Sequence, residues 1–297
     1  MLREKIEPPF QPIDFSSPLA GFRHYSKLDV DATIMTVTGL TAGERIRLAT
    51  MDTYDGHVWN VAGSQVAADG SGSFELVGGA YPPAPLAKID GDRTLTVKVG
   101  EYDDVWIPTP GYTRDLTITG PDGAPLGAAG EGLRYNAATG STVLLGGLAH
   151  GDTVTVTAAV QAPAPDDDAL RDVPTAQLQQ GPLSDFPDVV VAKATEFAGS
   201  GTSAIEQLRN IEKTLHTKGY LSHGTSSDAV ASVAGHGADR MEALLSGSVM
   251  VGDDEQYASA MALMARSLHY PARVVMGFAP TLSDHADPAK PVKVTGH

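Results

Sequence analysis

The chain has 297 residues, 42% of them hydrophobic, a formal charge of −15 and no cysteine. It is long enough for one large domain or two ordinary ones. The missing thiol excludes disulfides, thiolate metal sites and thiol nucleophiles, and the scattered Lys and Arg leave no basic patch for nucleic acid. An acidic surface keeps such a chain soluble and away from anionic headgroups. No apolar run reaches the roughly 18–20 residues that span a bilayer. The opening Met1-Leu-Arg-Glu-Lys-Ile-Glu-Pro-Pro-Phe is charged and Pro-containing, unlike a secretory leader.

The first half alternates apolar and polar residues at the period of strands. Leu95, Val97 and Val99 share one face against Thr94, Thr96 and Lys98. Leu116 with Ile118, Val143 with Leu145, and Val154 with Val156 repeat the pattern. Turn signals separate the runs: Asp55-Gly56, Gly70 to Gly72, Asp122-Gly123 and Gly146-Gly147. Strands at this spacing predict a β-rich, sandwich- or barrel-like domain over residues 1–160. Residues 161–187 begin Gln161-Ala-Pro-Ala-Pro-Asp-Asp-Asp, too poor in apolar side chains to pack alone, and read as a linker.

Helical spacing starts after Pro187. Val190, Ala194 and Phe197 lie on one face. Ser203 and Glu206 form a capping-box pattern that opens a helix with Ile205, Leu208, Ile211 and Leu215 inward, ended by Gly219. A third helix is predicted from about Glu255 to Leu268, with Tyr257, Met261, Met264 and Leu268 as its stripe. A strand follows over Ala272 to Phe278, and Val292-Lys-Val carries another. The fold class is therefore α+β, with helices packed on a sheet over residues 188–297.

The block from Gly252-Asp-Asp-Glu-Gln-Tyr-Ala to Pro271-Ala-Arg-Val-Val-Met-Gly277 resembles the core of transglutaminase-like proteins. There Gly-x-Cys precedes an aromatic-Ala pair, here Tyr257-Ala258, and Gly-Ile-Pro-Ala-Arg-Val follows the helix. His269-Tyr270 stand in place of Gly-Ile. Further phrases resemble the membrane-anchored branch common in actinobacteria. They are Glu7-Pro-Pro-Phe, Ser17-Pro-Leu-Ala-Gly-Phe-Arg, Arg47 to Trp59, Trp106-Ile-Pro-Thr-Pro-Gly and Leu133-Arg-Tyr-Asn. The resemblance implies a papain-like core, an extracytoplasmic location, and membrane attachment through segments outside this chain. It also sets the family nucleophile at Asp254. The family His and Asp lie beyond His297, so the core is expected to be truncated at its C-terminal end.

A papain-like acyl transfer needs a thiolate at a helix N-terminus, a His base and an acid or amide to orient it. Asp254 cannot form the thioester. Asp253, Asp254 and Glu255 together read first as capping charge at a helix start, worth about 0.3–1 kcal/mol each. As candidate binding residues they offer Ca²⁺ three carboxylates, but without the Gly-containing loop of alternating ligands. No cofactor and no metal ligand set is expected. His216, His223 and His236 read as exposed or helix-end histidines, and His269 and His285 lack metal spacing. Asp55-Gly56 reads as a turn, and Gly70-Ser-Gly-Ser lacks the Lys of a phosphate loop. Tyr54, Trp59, Tyr102, Trp106 and Tyr135 read as core; exposed, they would form a glycan strip.

The expected function is a catalytically inactive, transglutaminase-like module of the cell envelope that binds a peptide, glycan or protein partner. The alternative is an active acyltransferase or peptidase that uses a carboxylate or a metal in place of the thiol.

Overall fold

A computed structural model describes residues 12, 15–28, 30–61, 73–86, 88–126, 132–178 and 180–296. Glu7-Pro-Pro-Phe, the Gly70–Gly72 signal and His297 lie outside these residues. A 3₁₀ turn at Pro18–Gly21 and a π-turn at His24–Leu28 precede the first strands, β1 (Met35–Thr38), β2 (Ile46–Met51), β3 (Thr53–Tyr54), β4 (Trp59–Asn60) and β5 (Glu75–Leu76). Then come β6 (Ile89–Val99), β7 (Tyr112–Thr119), β8 (Pro125–Leu126), β9 (Leu133–Asn136), β10 (Ser141–Leu144) and β11 (Thr153–Gln161).

The second half holds α1 (Asp167–Leu170), α2 (Asp188–Ala198), α3 (Ala204–Lys218), β12 (Gly219–Leu221), α4 (Ala238–Ser246), β13 (Met250–Gly252), α5 (Asp254–Ser267), β14 (Val274–Phe278) and β15 (Val292–Val294). No helix among the described residues is long and apolar enough to cross a membrane.

The main sheet runs β15-β1-β6-β11-β7-β8, antiparallel throughout. Its alternation is the one read from the sequence. Leu95, Val97, Val99, Val154 and Val156 are buried, while Thr94, Thr96 and Lys98 face solvent. Leu145 departs from the pattern. It lies just past β10, all four of whose residues are buried. Asp55-Gly56 turns the β3–β4 hairpin, where the Asp55 carboxylate accepts the N–H groups of His57 and Val58 and Gly56 has φ +86°.

The two halves share one core and two strand pairings. β15 adds to the sheet edge through β1, with Met35 opposite Val294. β14 pairs with β2, Val274 opposite Met51, with a bulge between Met276 and Gly277. The close approach there needs glycine, because a Cβ on Gly277 would lie 2.1 Å from the Ile46 carbonyl oxygen. The segment before α2 is tied down as well. Tyr54 N–H donates to Pro182, Gln180 bonds both backbone groups of Ala272, and Arg266 donates to the carbonyls of Asp52 and Gly181.

Helix α2 buries Val190, Ala194 and Phe197 as the spacing predicts, and α3 buries Ile211 and Leu215. At the α3 start Ser203 caps the Glu206 N–H, while the Glu206 carboxylate reaches the N–H and hydroxyl of Thr202. Helix α5 differs from its predicted one-sided stripe. Ser259, Ala260, Ala262, Leu263, Met264 and Ala265 are buried, whereas Tyr257, Met261 and Leu268 are only half-buried. Small residues let neighbours close in on several sides, so the helix is central rather than amphipathic. It ends with His269 in the left-handed region at φ +64°, the position where the family phrase has Gly.

Candidate ligand-binding cleft at the start of helix α5

The N-terminus of α5 is fixed by two buried polar clusters. Asp253, fully buried, is the N-cap: its side chain accepts the Gln256 N–H, and the Gln256 side chain accepts the Asp253 N–H. This capping box satisfies two orphan helix donors reciprocally. The second Asp253 oxygen meets Arg23 Nε at 2.7 Å. Arg23 spends its other donors on Ser232 and Val233 and so holds the loop before α4 against the helix start. Burial pushes the Asp253 carboxyl above its usual range, with the Arg23 charge pulling the other way.

Glu255 anchors the second cluster. Its carboxylate lies 2.7 Å from His236 Nδ1, both groups being buried. The Trp59 N–H donates to His236 Nε2 at 2.9 Å. A backbone amide can only donate, so Nε2 accepts and the imidazole proton sits on Nδ1, facing Glu255. Trp59 Nε1–H donates to Ser259 Oγ, and Tyr54 O–H donates to the His236 carbonyl. The β3–β4 hairpin, the His236 loop and α5 are thereby joined. His236 is thus a buried structural residue, not the exposed or helix-end histidine read from the sequence. Its intact network has no local sequence signal, since its partners lie 19 and 177 residues away.

The three adjacent acids diverge. Asp253 goes to Arg23, Glu255 to His236, and Asp254, exposed at the first helical position, faces a cleft of about 840 Å³. Among the described residues no group of three or more His, Asp and Glu is placed to hold a metal ion. β14 from Val275 onward lines the same cleft, and Phe22, Tyr25 and Leu19 add apolar lining. His223, half-buried, also lines it, as does Asp228. The Asp228 carboxylate accepts the Thr225 N–H at 2.8 Å, which holds it below its usual range, with the other hydroxyl bonds and His223 assisting. Ser26 Oγ and His223 Nδ1 are buried atoms with no hydrogen-bond partner among the described residues.

Tyr54, Trp59, Tyr102, Trp106 and Tyr135 are all buried in the core, so they form no exposed strip. His216, His269 and His285 are exposed.

Comparison with known proteins places this geometry. Residues 191–295 match the family model of the transglutaminase-like superfamily. These residues form a transglutaminase-like domain. Two crystal structures of the periplasmic domain of TgpA from Pseudomonas aeruginosa, one of them bound to ethylmercury, share the fold of the whole chain at 15% identity. The free form superposes with a TM-score of 0.55 over 98% of this chain and 86% of that one; the ethylmercury form gives 0.54 over 95% and 86%. No curated protein sequence matches the chain. The likeness extends beyond the transglutaminase-like domain into the β-rich half, in keeping with the strand pairings that unite the two.

Proposed function

We propose that the chain is the extracytoplasmic part of a membrane-anchored transglutaminase-like protein of the actinobacterial type, and that it binds an envelope peptide or protein in the α5 cleft without thiol-dependent acyl transfer. One observation carries this reading. At the helix start where the family resemblance sets a thiol, the exposed Asp254 carboxylate faces the cleft, and the chain contains no cysteine. A carboxylate is a poor nucleophile toward amides, and the thioester route needs sulfur. The extracytoplasmic placement is supported by the shared fold with a periplasmic domain. The burial of the large aromatics favours a peptide or protein over a glycan.

The test is incorporation of a labelled primary amine into a glutamine-rich protein. No incorporation above background is expected. Activity that Asp254→Ala abolishes would overturn the reading and favour carboxylate-assisted chemistry, for which the shared cleft position of Asp254 and His223 is the one supporting feature. A metal-assisted version would show stoichiometric bound metal and loss of that activity with chelator.

A further inference from the structure

We propose that the buried Glu255–His236 pair is an acid-operated latch: proton uptake by His236 expels the Trp59 N–H, frees the β3–β4 hairpin from α5 and loosens one side of the cleft. The latch does not depend on what the cleft binds.

The closed network has no place for one more proton. His236 Nδ1–H donates to Glu255 Oε1 at 2.7 Å, and Nε2 accepts the Trp59 N–H at 2.9 Å. A proton on Nε2 would face that amide, donor against donor. The Glu255 carboxylate is no better a place. Its other oxygen accepts the Gly235 N–H at 3.4 Å and the Gln256 side-chain N–H at 3.3 Å. A hydroxyl there would also meet donors, and neither side chain is more than 2% exposed to water that could accept from it.

Charge opposes the proton too. Glu255 is the ionised group in contact with the ring. Around the pair stand Arg23 ahead of the strands, Asp253 at the α5 cap and Arg240 on α4, and Arg240 interacts with both carboxylates. Tyr257, which also faces Arg240, and Tyr54, which donates to the His236 carbonyl, are neutral phenols. Asp55 and His57 at the hairpin tip are exposed. Two guanidinium groups and two carboxylates therefore balance while His236 is neutral. An imidazolium would leave a positive charge unmatched inside the cluster. Once the hairpin parts from α5 the ring meets water, where an imidazole takes a proton below roughly pH 6.5. Opening thus binds a proton and grows as pH falls.

Trp59 carries the change to the cleft. Its carbonyl accepts the Ser17 hydroxyl at 2.6 Å, and its indole N–H holds Ser259 of α5. Ser17 caps the Pro18–Gly21 turn, and Leu19 of that turn and Phe22 just after it line the cleft.

The experiment is amide hydrogen exchange on the whole chain at pH 7.5 and pH 5, corrected for the intrinsic pH dependence of exchange. One proton taken up on opening raises the open fraction about thirtyfold between these values. Trp59 protection should fall by about that factor, while Leu95 to Val99 in β6 change less than about twofold. The amide of His236→Gln offers Glu255 a donor and Trp59 an acceptor but does not titrate. In that variant Trp59 protection should change less than about threefold. Titration of Asp253 would act alike in both proteins, so equal loss in the two would overturn the latch. So would Trp59 protection that holds at pH 5, or a loss shared uniformly with β6. Ring-nitrogen NMR of the unsubstituted protein needs no variant: at pH 7.5 His236 should carry its proton on Nδ1 and none on Nε2, and a protonated Nε2 would overturn the proposal.

Discussion

Arg23→Met tests the structural account of the α5 start most directly. Arg23 is nearly buried and Asp253 fully so, with 2.7 Å between them. Methionine keeps much of the volume but removes the charge and the donors to Ser232 and Val233. Breaking a buried pair by deleting one partner leaves an uncompensated charge and costs about 3–5 kcal/mol. The freed loop carbonyls add to this, although Arg240, which also donates to Val233, retains part of the loop. The loss must depend on pH. Burial already raises the Asp253 pKa, and Arg23 opposes that rise. Without Arg23 the folded-state pKa rises further above its unfolded value. A carboxyl raised in the folded state contributes most stability below the unfolded pKa, and that contribution is lost as pH climbs through the folded value. The deficit of the variant should therefore be largest near pH 7 and shrink toward pH 4. Urea unfolding at both pH values measures it. Asn at position 253 still caps the helix, so Arg23→Met with Asp253→Asn should recover much of the loss at pH 7. A deficit under about 1 kcal/mol, or one unchanged between the two pH values, would refute the argument.

Three further outcomes follow from the geometry. His269→Gly should raise stability by about 0.5–1 kcal/mol in thermal or urea unfolding, because the exposed His269 holds a left-handed backbone at φ +64° that glycine adopts without strain. Gly277→Ala should lower it by about 1–3 kcal/mol or more, because the added methyl meets the Ile46 carbonyl at 2.1 Å and must push β14 from β2. Absorbance titration of the tyrosines should show a group that ionises only on unfolding. Burial raises Tyr54, Tyr81 and Tyr102 above their ordinary value and pushes Tyr135 up to about 12. Stability contributed by these protonated phenols is intact below pH ~10 and lost as pH rises toward their folded values. Full, reversible ionisation of all tyrosines near pH 10 in folded protein would contradict this.

What could be read from the sequence was local. The alternation of Leu95, Val97 and Val99, the Asp55-Gly56 turn and the α2 face each arise from residues within a few positions of one another, and each is present as expected. Helix α4 was not expected, although Met241, Leu244 and Leu245 fall on one face: Gly237 at its N-cap has no side chain to accept a bond, so no start signal marks it. The Asp253–Gln256 capping box was equally local and was hidden only by the neighbouring acids. The pairing of Met35 with Val294, the Arg23–Asp253 contact across 230 residues and the His236 network depend on tertiary closure, and no periodicity encodes them.

The same contrast bears on why the helix start keeps so much buried polar structure where no thiol stands. Its polar groups are satisfied among themselves: Asp253 by Arg23 and Gln256, Glu255 by His236, His236 by Trp59. Such a network orients the first turn whatever side chain occupies its exposed position, because none of these bonds involves Asp254. The helix end is thus rigid and the residue at 254 is interchangeable as far as folding is concerned, within the roughly 0.3–1 kcal/mol of a charge near a helix N-terminus. Selection for stability alone would then leave position 254 open to many residues. An exposed carboxylate in the cleft lining is better accounted for by what enters the cleft than by what the fold requires.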